Sequence, residues 1–255
     1  MLPKIAANQR AIDKFLREMA NTKALNHPHV VKLRDYGYSD GTFFFTLEYC
    51  EGGSVADLME QRGGRLSIQE AVPIILQALD GLEYAHNAEI PYVKRADGTI
   101  ARGRGLVHRD IKPSNIFLTK VGNSQIAKVG DYGLAKAFDL AGLSGQTMSG
   151  SEVAGTLPFM PRQQVIDFKY AKPEVDVWAT AATLYTMLTG ECPRDFSGKD
   201  PLLAMLQTNA VPIRQRDASI PKPLAEVIDL ALVDNPEIHF KSAAEFKRAL
   251  SLNSC

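Results

Sequence analysis

The segment Val107-His108-Arg109-Asp110-Ile111-Lys112-Pro113-Ser114-Asn115, followed one hairpin later by Asp131-Tyr132-Gly133, constrains this chain more than any other stretch. It supplies an acid that can orient a hydroxyl, a lysine cation, and two hard oxygen ligands in Asn115 and Asp131. Those are the parts that phosphoryl transfer asks of a protein, because its loose transition state needs positioning and charge stabilisation. Between them, Ile116–Thr119 and Ile126–Val129 flank Gly122-Asn123-Ser124 and predict a β-hairpin inside an otherwise helical body.

The rest of the pattern surrounds that insert with helices. Asn8 to Leu25 carries Ile12, Phe15, Leu16, Met19 and Leu25 mostly at helical spacing. His27-Pro28 closes the helix, since a residue before proline is pushed out of the helical region. Val30–Tyr38 and Thr42–Tyr49, about Ser39-Asp40-Gly41, predict another hairpin. Glu51-Gly52-Gly53-Ser54 is a linker whose Ser54 can cap a short helix over Val55–Glu60. A longer helix, Ser67 to His86, opens on a Ser67/Glu70 capping box. Residues 131–163 are rich in Gly, Ser and Thr, and so long a loop in a compact domain is usually functional. Helices return over Val175–Leu188, Leu202–Gln207, Leu224–Leu232 and Ser242–Leu252. The order predicts an α+β fold in two unequal lobes.

Charge and cysteine content narrow the setting. With 29 basic and 29 acidic residues the net charge is zero, so no global field draws the chain to nucleic acid or an anionic membrane. The expected partners include neither. Cys50, Cys192 and Cys255 are odd in number and far apart, which argues for a reducing compartment and against a disulfide framework or zinc site. The first residues lack an apolar run for a signal peptide, and Val175–Leu188 is too short to span a bilayer. The expectation is a soluble, cytoplasmic protein.

His108-Arg109-Asp110, Lys112 and Asn115, with Asp131-Tyr132-Gly133 downstream, resemble the catalytic loop and metal-binding motif of eukaryotic-type serine/threonine protein kinases. Glu18, ten residues before Pro28, resembles the family's helix-C glutamate. Leu47 through Ser54 resembles the gatekeeper, the hinge and the start of the next helix. Gly155-Thr156 through Gln163 resembles the end of the activation segment, and Asp176-Val177-Trp178 the start of a buried central helix. The likeness covers nearly all of residues 10–252.

This resemblance implies a two-lobed fold with an incomplete small lobe (residues 1–50) and a mainly helical large lobe (51–255). It implies a γ-phosphoryl transfer from ATP, with Mg²⁺, to Ser or Thr hydroxyls of protein substrates. Asp110 would orient the hydroxyl, Lys112 would neutralise the moving phosphoryl group, and Asn115 and Asp131 would hold Mg²⁺. Leu47, Glu48, Cys50 and Phe117 would meet the adenine, the hinge residues through backbone groups. Arg109 would receive a regulatory phosphate on Thr147, Ser149 or Ser151, and Thr156 would help select Ser/Thr acceptors. His108, Tyr132 and Leu33 would pack as one column. Thr22, polar where that column continues, is expected to loosen it, and Tyr132 brings a hydroxyl that needs a partner.

Three departures qualify the likeness. The family's nucleotide-gripping lysine lies roughly 19 residues before the helix-C glutamate, which falls just before Met1. Lys4 is out of register, so the chain reads as a kinase domain cut after its third strand, without a glycine-rich loop or a partner lysine for Glu18. Weak ATP binding and little or no turnover by this polypeptide alone, with a kinase segment or regulatory domains outside it, is the expectation. Between His86 and His108, Tyr92 to Arg104 reads as an inserted basic hairpin about Asp97-Gly98. It is read as a solvated surface element rather than a dock for an acidic partner. Finally, Pro161-Arg162-Gln163 stands where the family has Ala-Pro-Glu, and His239 where it has the matching arginine, predicting an amide–imidazole contact. A pseudokinase scaffold is the alternative reading, and a small-molecule kinase a third. Retention of Asp110, Lys112, Asn115 and Asp131 together argues against the scaffold, and the Gly155-Thr156 segment and the Asp176 helix argue against the small-molecule kinase.

Overall fold

Two apolar clusters organise the computed structural model, which describes residues 9–40, 42–94, 99–122, 124–132, 156–166, 171–198 and 200–253. The smaller one joins helix α1 (Gln9–Lys23) to the antiparallel hairpin β1 (Leu33–Ser39) and β2 (Thr42–Leu47). Phe15 and Met19 lie one turn apart on one face of α1 and are buried with Leu33 and Phe43. The Phe15 and Phe43 rings sit 4.5 Å apart.

The larger cluster is helical. Helix α2 (Val55–Gln61) is capped by Ser54, in a reciprocal box with Asp57, and α3 (Ile68–Asn87) by Ser67 with Glu70. Against α3 pack the β5 (Ile116–Val121)–β6 (Ser124–Val129) hairpin, α5 (Glu174–Thr189) and α9 (Ala243–Asn253). Helices α4 (Arg162–Ile166), α6 (Pro201–Gln207), α7 (Ile213–Arg216) and α8 (Lys222–Ala231) complete this body. Helix α5 is buried almost all round despite its threonines. Thr180, Thr183 and Thr186 donate to the carbonyls of Asp176, Ala179 and Ala182 at 2.7, 2.8 and 2.9 Å, so none of these three threonine hydroxyls is stranded. The four-residue α7 was not anticipated from the sequence; it is too short to show a period.

The stretch after α1 joins the two bodies. Val31 donates to Val129 O and Val129 to His29 O, both at 2.9 Å, adding a short parallel bridge to β6. The insert before residues 107–115 pairs antiparallel as expected, β3 (Glu89–Lys94) with β4 (Ile100–Arg104), its Asp97-Gly98 turn lying outside the described residues. Ser67→Ala should remove an N-cap worth about 1 kcal/mol. Calorimetry should then show a melting temperature lower by roughly 2–4 °C; no change would mean that the cap carries no weight.

Candidate active site

The catalytic loop is held in place by one buried carboxylate. Asp176, at the start of α5 and fully buried, accepts the His108 amide at 2.8 Å, the Arg109 amide at 2.7 Å and the His86 Nε2 at 2.7 Å. Burial alone would raise its pKa, but His86, His108 and the Arg109 amide hold it below the ordinary carboxylate range. His108 adopts a defined role beside it. Its Nε2 meets Gly130 O at 2.6 Å and its Nδ1 the Asp110 amide at 3.2 Å, which fits an Nε2–H tautomer. The turn forces Arg109 to φ 71° and Asp131 to φ 62°, a strained setting for side-chain-bearing residues.

That loop presents Asp110 between two donors. Lys112 Nζ lies 3.0 Å from Asp110 Oδ2 and donates to Thr156 Oγ1 at 2.8 Å. Asn115 Nδ2 donates to the same Oδ2 at 2.9 Å and to Asp110 O at 2.7 Å. The other oxygen, Oδ1, is buried without a hydrogen-bond partner among the described residues. One oxygen is fixed and one remains to accept a proton. This is the arrangement a hydroxyl-orienting carboxylate requires.

Asn115 and Asp131 come together because β5 and β6 pair in register and Gly130 donates to Asn115 O at 2.9 Å. A Cβ on Gly130 would lie 2.6 Å from the Phe117 ring, so glycine lets the two hairpin ends close. Burial pushes the Asp131 carboxyl above its usual value, aided by Asp110 and opposed by His108 and Lys112. With Asn115 Nδ2 engaged, its Oδ1 is the donor left over. A desolvated carboxylate and an amide oxygen suit Mg²⁺, which takes few protein ligands and fills its shell with phosphates and water. Among the described residues no cluster of three or more His, Cys, Asp or Glu offers a competing metal site.

Residues 47–50 were expected to form the hinge. The Glu48 amide is taken by Lys32 O at 2.9 Å and the Cys50 carbonyl by Gly53 at 3.2 Å, and among the described residues the Glu48 carbonyl and the Cys50 amide have no backbone partner. The Glu48 side chain pairs with Lys128 of β6 at 2.7 Å, tying residue 48 to the strand that ends at Val129, two residues before Asp131. Leu47 and Phe117 are half-buried, and Phe117 forms a β-bridge with Ser54. Glu18 lies on α1 one turn before Thr22, whose hydroxyl is 3.1 Å from both Glu18 O and Tyr132 O. Thr22 was expected to loosen the column. Instead it supplies a hydrogen bond where an apolar side chain would only pack. Leu33 falls in the small cluster and Tyr132 in the large one, so Thr22 bridges two cores rather than extending one column. Thr147, Ser149, Ser151 and Gly155 lie outside the described residues.

The chain matches the family model for the protein kinase domain over residues 2–237. It belongs to the protein kinase family. Serine/threonine-protein kinase PknA of Mycobacterium tuberculosis is 29% identical over 97% of this chain and 52% of its own length. Serine/threonine-protein kinase PknB of Mycolicibacterium smegmatis is 30% identical over 93% of this chain and 35% of its own. The chain thus spans about half the length, or less, of these relatives. The solved M. tuberculosis PknI kinase domain superposes with TM-score 0.67 at 24% identity, over 97% of this chain and 81% of that one. Rad53 in complex with AMP-PNP superposes with the same TM-score, 0.67, at 21% identity, over 93% and 55%. The fold is that of a protein kinase.

Within this kinase domain, the close of the activation segment differs from the contact expected. Gln163 Nε2 donates to Asp234 O at 2.6 Å, while His239 packs edge-on to Phe240 at 4.9 Å. The ion pair is not lost but reversed. Buried Asp234 receives both Arg162 and Arg194, and the surplus cation is met by the carbonyls of Met160, Leu206 and Thr208. Arg194 also stacks over Trp178 at 4.4 Å. Sequence reading missed Asp234, Arg194, His86 and the anchoring role of Asp176. Only Arg162, standing where the family's proline does, signalled the swap.

Two outcomes follow for this domain. Asp176→Asn should lower stability at neutral pH by about 2 kcal/mol, because it weakens charge-assisted bonds to buried amides. The folded pKa of Asp176 is depressed, so its contribution is whole above the unfolded value near ~3.9 and is lost as pH falls through the folded value. The wild type should therefore approach the variant in acid unfolding; a constant gap down to low pH contradicts this. Second, the Tyr132 hydroxyl is buried with no partner among the described residues. Tyr132→Phe should stabilise by about 1 kcal/mol, raising the melting temperature by roughly 2–4 °C; a drop would mean that the hydroxyl is satisfied.

Proposed function

We propose that this chain is the catalytic domain of a cytoplasmic serine/threonine protein kinase, transferring the γ-phosphoryl group of ATP to Ser or Thr hydroxyls of proteins. Residues 1–50 form part of the small lobe and 51–255 the large lobe. The observation that carries the reading is Asp110, with one oxygen fixed by Lys112 and Asn115 and the other without a partner. The kinase family membership and the serine/threonine kinases among its relatives support it.

Asp110 Oδ1 accepts the proton of the acceptor hydroxyl and aims its oxygen for in-line attack. Lys112, already beside Asp110 and Thr156, supplies positive charge where the transferring group becomes most anionic. Thr156, fixed by that lysine, lines the acceptor side and favours a short aliphatic hydroxyl over a phenol. Asn115 and Asp131 would hold Mg²⁺, which would supply positive charge to neutralise the phosphates. The Glu48 carbonyl and the Cys50 amide hydrogen-bond the adenine edge, with Leu47 and Phe117 against its faces. Glu18 on α1 orients the phosphate side. Arg109 pairs through charge-assisted hydrogen bonds with a phosphate carried on Thr147, Ser149 or Ser151.

Transfer of radiolabelled phosphate from Mg-ATP to mixed Ser/Thr and Tyr peptide pools tests this. The expected result is labelling of Ser/Thr peptides, reduced at least about 10³-fold by Asp110→Asn. Equal labelling by the variant, or labelling of Tyr alone, would overturn it.

A further inference from the structure

The β3–β4 insert was expected to be a solvated surface hairpin, yet β3 packs against α1. The contact centres on Asn21, only 3% exposed near the end of that helix. Its Nδ2 donates to Tyr92 O at 2.8 Å and its Oδ1 accepts the Tyr92 amide at 2.9 Å. A single side chain thus does for Tyr92 what a neighbouring strand would do. The hairpin's irregular pairing accompanies this contact. Ile90 pairs with Gly103 and Val93 with Ala101, so Pro91 and Tyr92 together oppose Arg102. That bulge interrupts the ladder at Tyr92 and leaves its backbone groups for a partner outside the sheet.

The next residue, Thr22, donates to Tyr132 O at 3.1 Å, beside Asp131. Two adjacent side chains therefore fasten the end of α1 to two separate parts of the large lobe. Hydrogen bonds of a buried amide are directional, and a shift of α1 along or about its axis would break both bonds of the Asn21 side chain at once, whereas the Thr22 hydroxyl keeps Glu18 O as an alternative acceptor. Apolar packing alone would tolerate such a slide.

We propose that the β3–β4 hairpin is a built-in clamp on α1, with Asn21 as its positioning residue. The clamp fixes where α1, and Glu18 with it, stands relative to Asp131. Its catalytic consequence rests on the kinase reading above, whereas the clamp itself does not. Tyr92 is 43% exposed, and both hydrogen bonds to Asn21 use its backbone rather than its phenol.

Hydrogen–deuterium exchange of the full chain, read by mass spectrometry, separates these roles. Asn21→Ala should speed exchange of the amides over residues 9–23 by about tenfold while leaving α5 near wild type. Tyr92→Pro, which removes the N–H donor to Asn21 together with the side chain that Tyr92→Ala controls for, should do the same from the other side. Tyr92→Ala should match wild type. In the peptide assay, Asn21→Ala should lower kcat with the peptide KM unchanged, a split that general loss of folded protein mimics only if α5 is also deprotected. Unchanged α1 exchange in both Asn21→Ala and Tyr92→Pro overturns the clamp, as does loosening by Tyr92→Ala. If α1 loosens as expected but no variant or wild type labels peptide, the clamp stands and the kinase reading falls.

Discussion

The hydrogen bonds gathered on the Asp176 carboxylate are the constraint on which the site depends. A buried charge is costly unless it is paired and bonded, and here it is answered by two consecutive backbone amides and an imidazole. Those amides belong to the residues just before Asp110. The carboxylate therefore dictates the direction in which the catalytic loop leaves the core, and with it the strained turn at Arg109. Because Asp176 opens a helix buried almost all round, the loop inherits the rigidity of the domain's centre.

A second set of polar contacts joins the small body to this centre. Glu48 with Lys128, Thr22 with Tyr132 and Asn21 with Tyr92 each link an element of the small cluster or hinge to one next to the site. The apolar clusters themselves are separate. What crosses between them is directional rather than greasy, so the relative setting of α1 and Asp131 is specified by geometry and not by area alone. The activation segment is anchored in the same manner at Asp234, where the charges have exchanged sides between segment and body.

Much of this was legible in the sequence because it is local. The caps at Ser54 and Ser67, the hairpin about Gly122 and the period of α1 are each set by residues within a few positions of one another. That Asp110, Lys112 and Asn115 meet was legible for the same reason, since they lie within one short loop. What escaped notice depends on distant pairing. Asp176 was read as the start of a helix, yet its partners lie 67, 68 and 90 positions away. Asp234 meets arginines 72 and 40 positions distant, and nothing in its own neighbourhood marks it as a charge sink. Thr22 was read as a polar blemish on a helix and Asn21 drew no notice, since a side chain that bonds a remote backbone leaves no periodic trace. Among the described residues no helix is long and apolar enough to cross a membrane.

The central claim is that Asn115 and Asp131 form one metal–nucleotide site beside Asp110. Paramagnetic titration of Mn²⁺, in place of Mg²⁺, in the presence of a non-hydrolysable ATP analogue tests it most directly. The account predicts saturable, nucleotide-dependent Mn²⁺ binding, weakened roughly 10- to 100-fold by Asn115→Ala and by Asp131→Asn, while Asp110→Asn retains it. Binding that ignores both ligand substitutions, or that needs no nucleotide, would contradict the account.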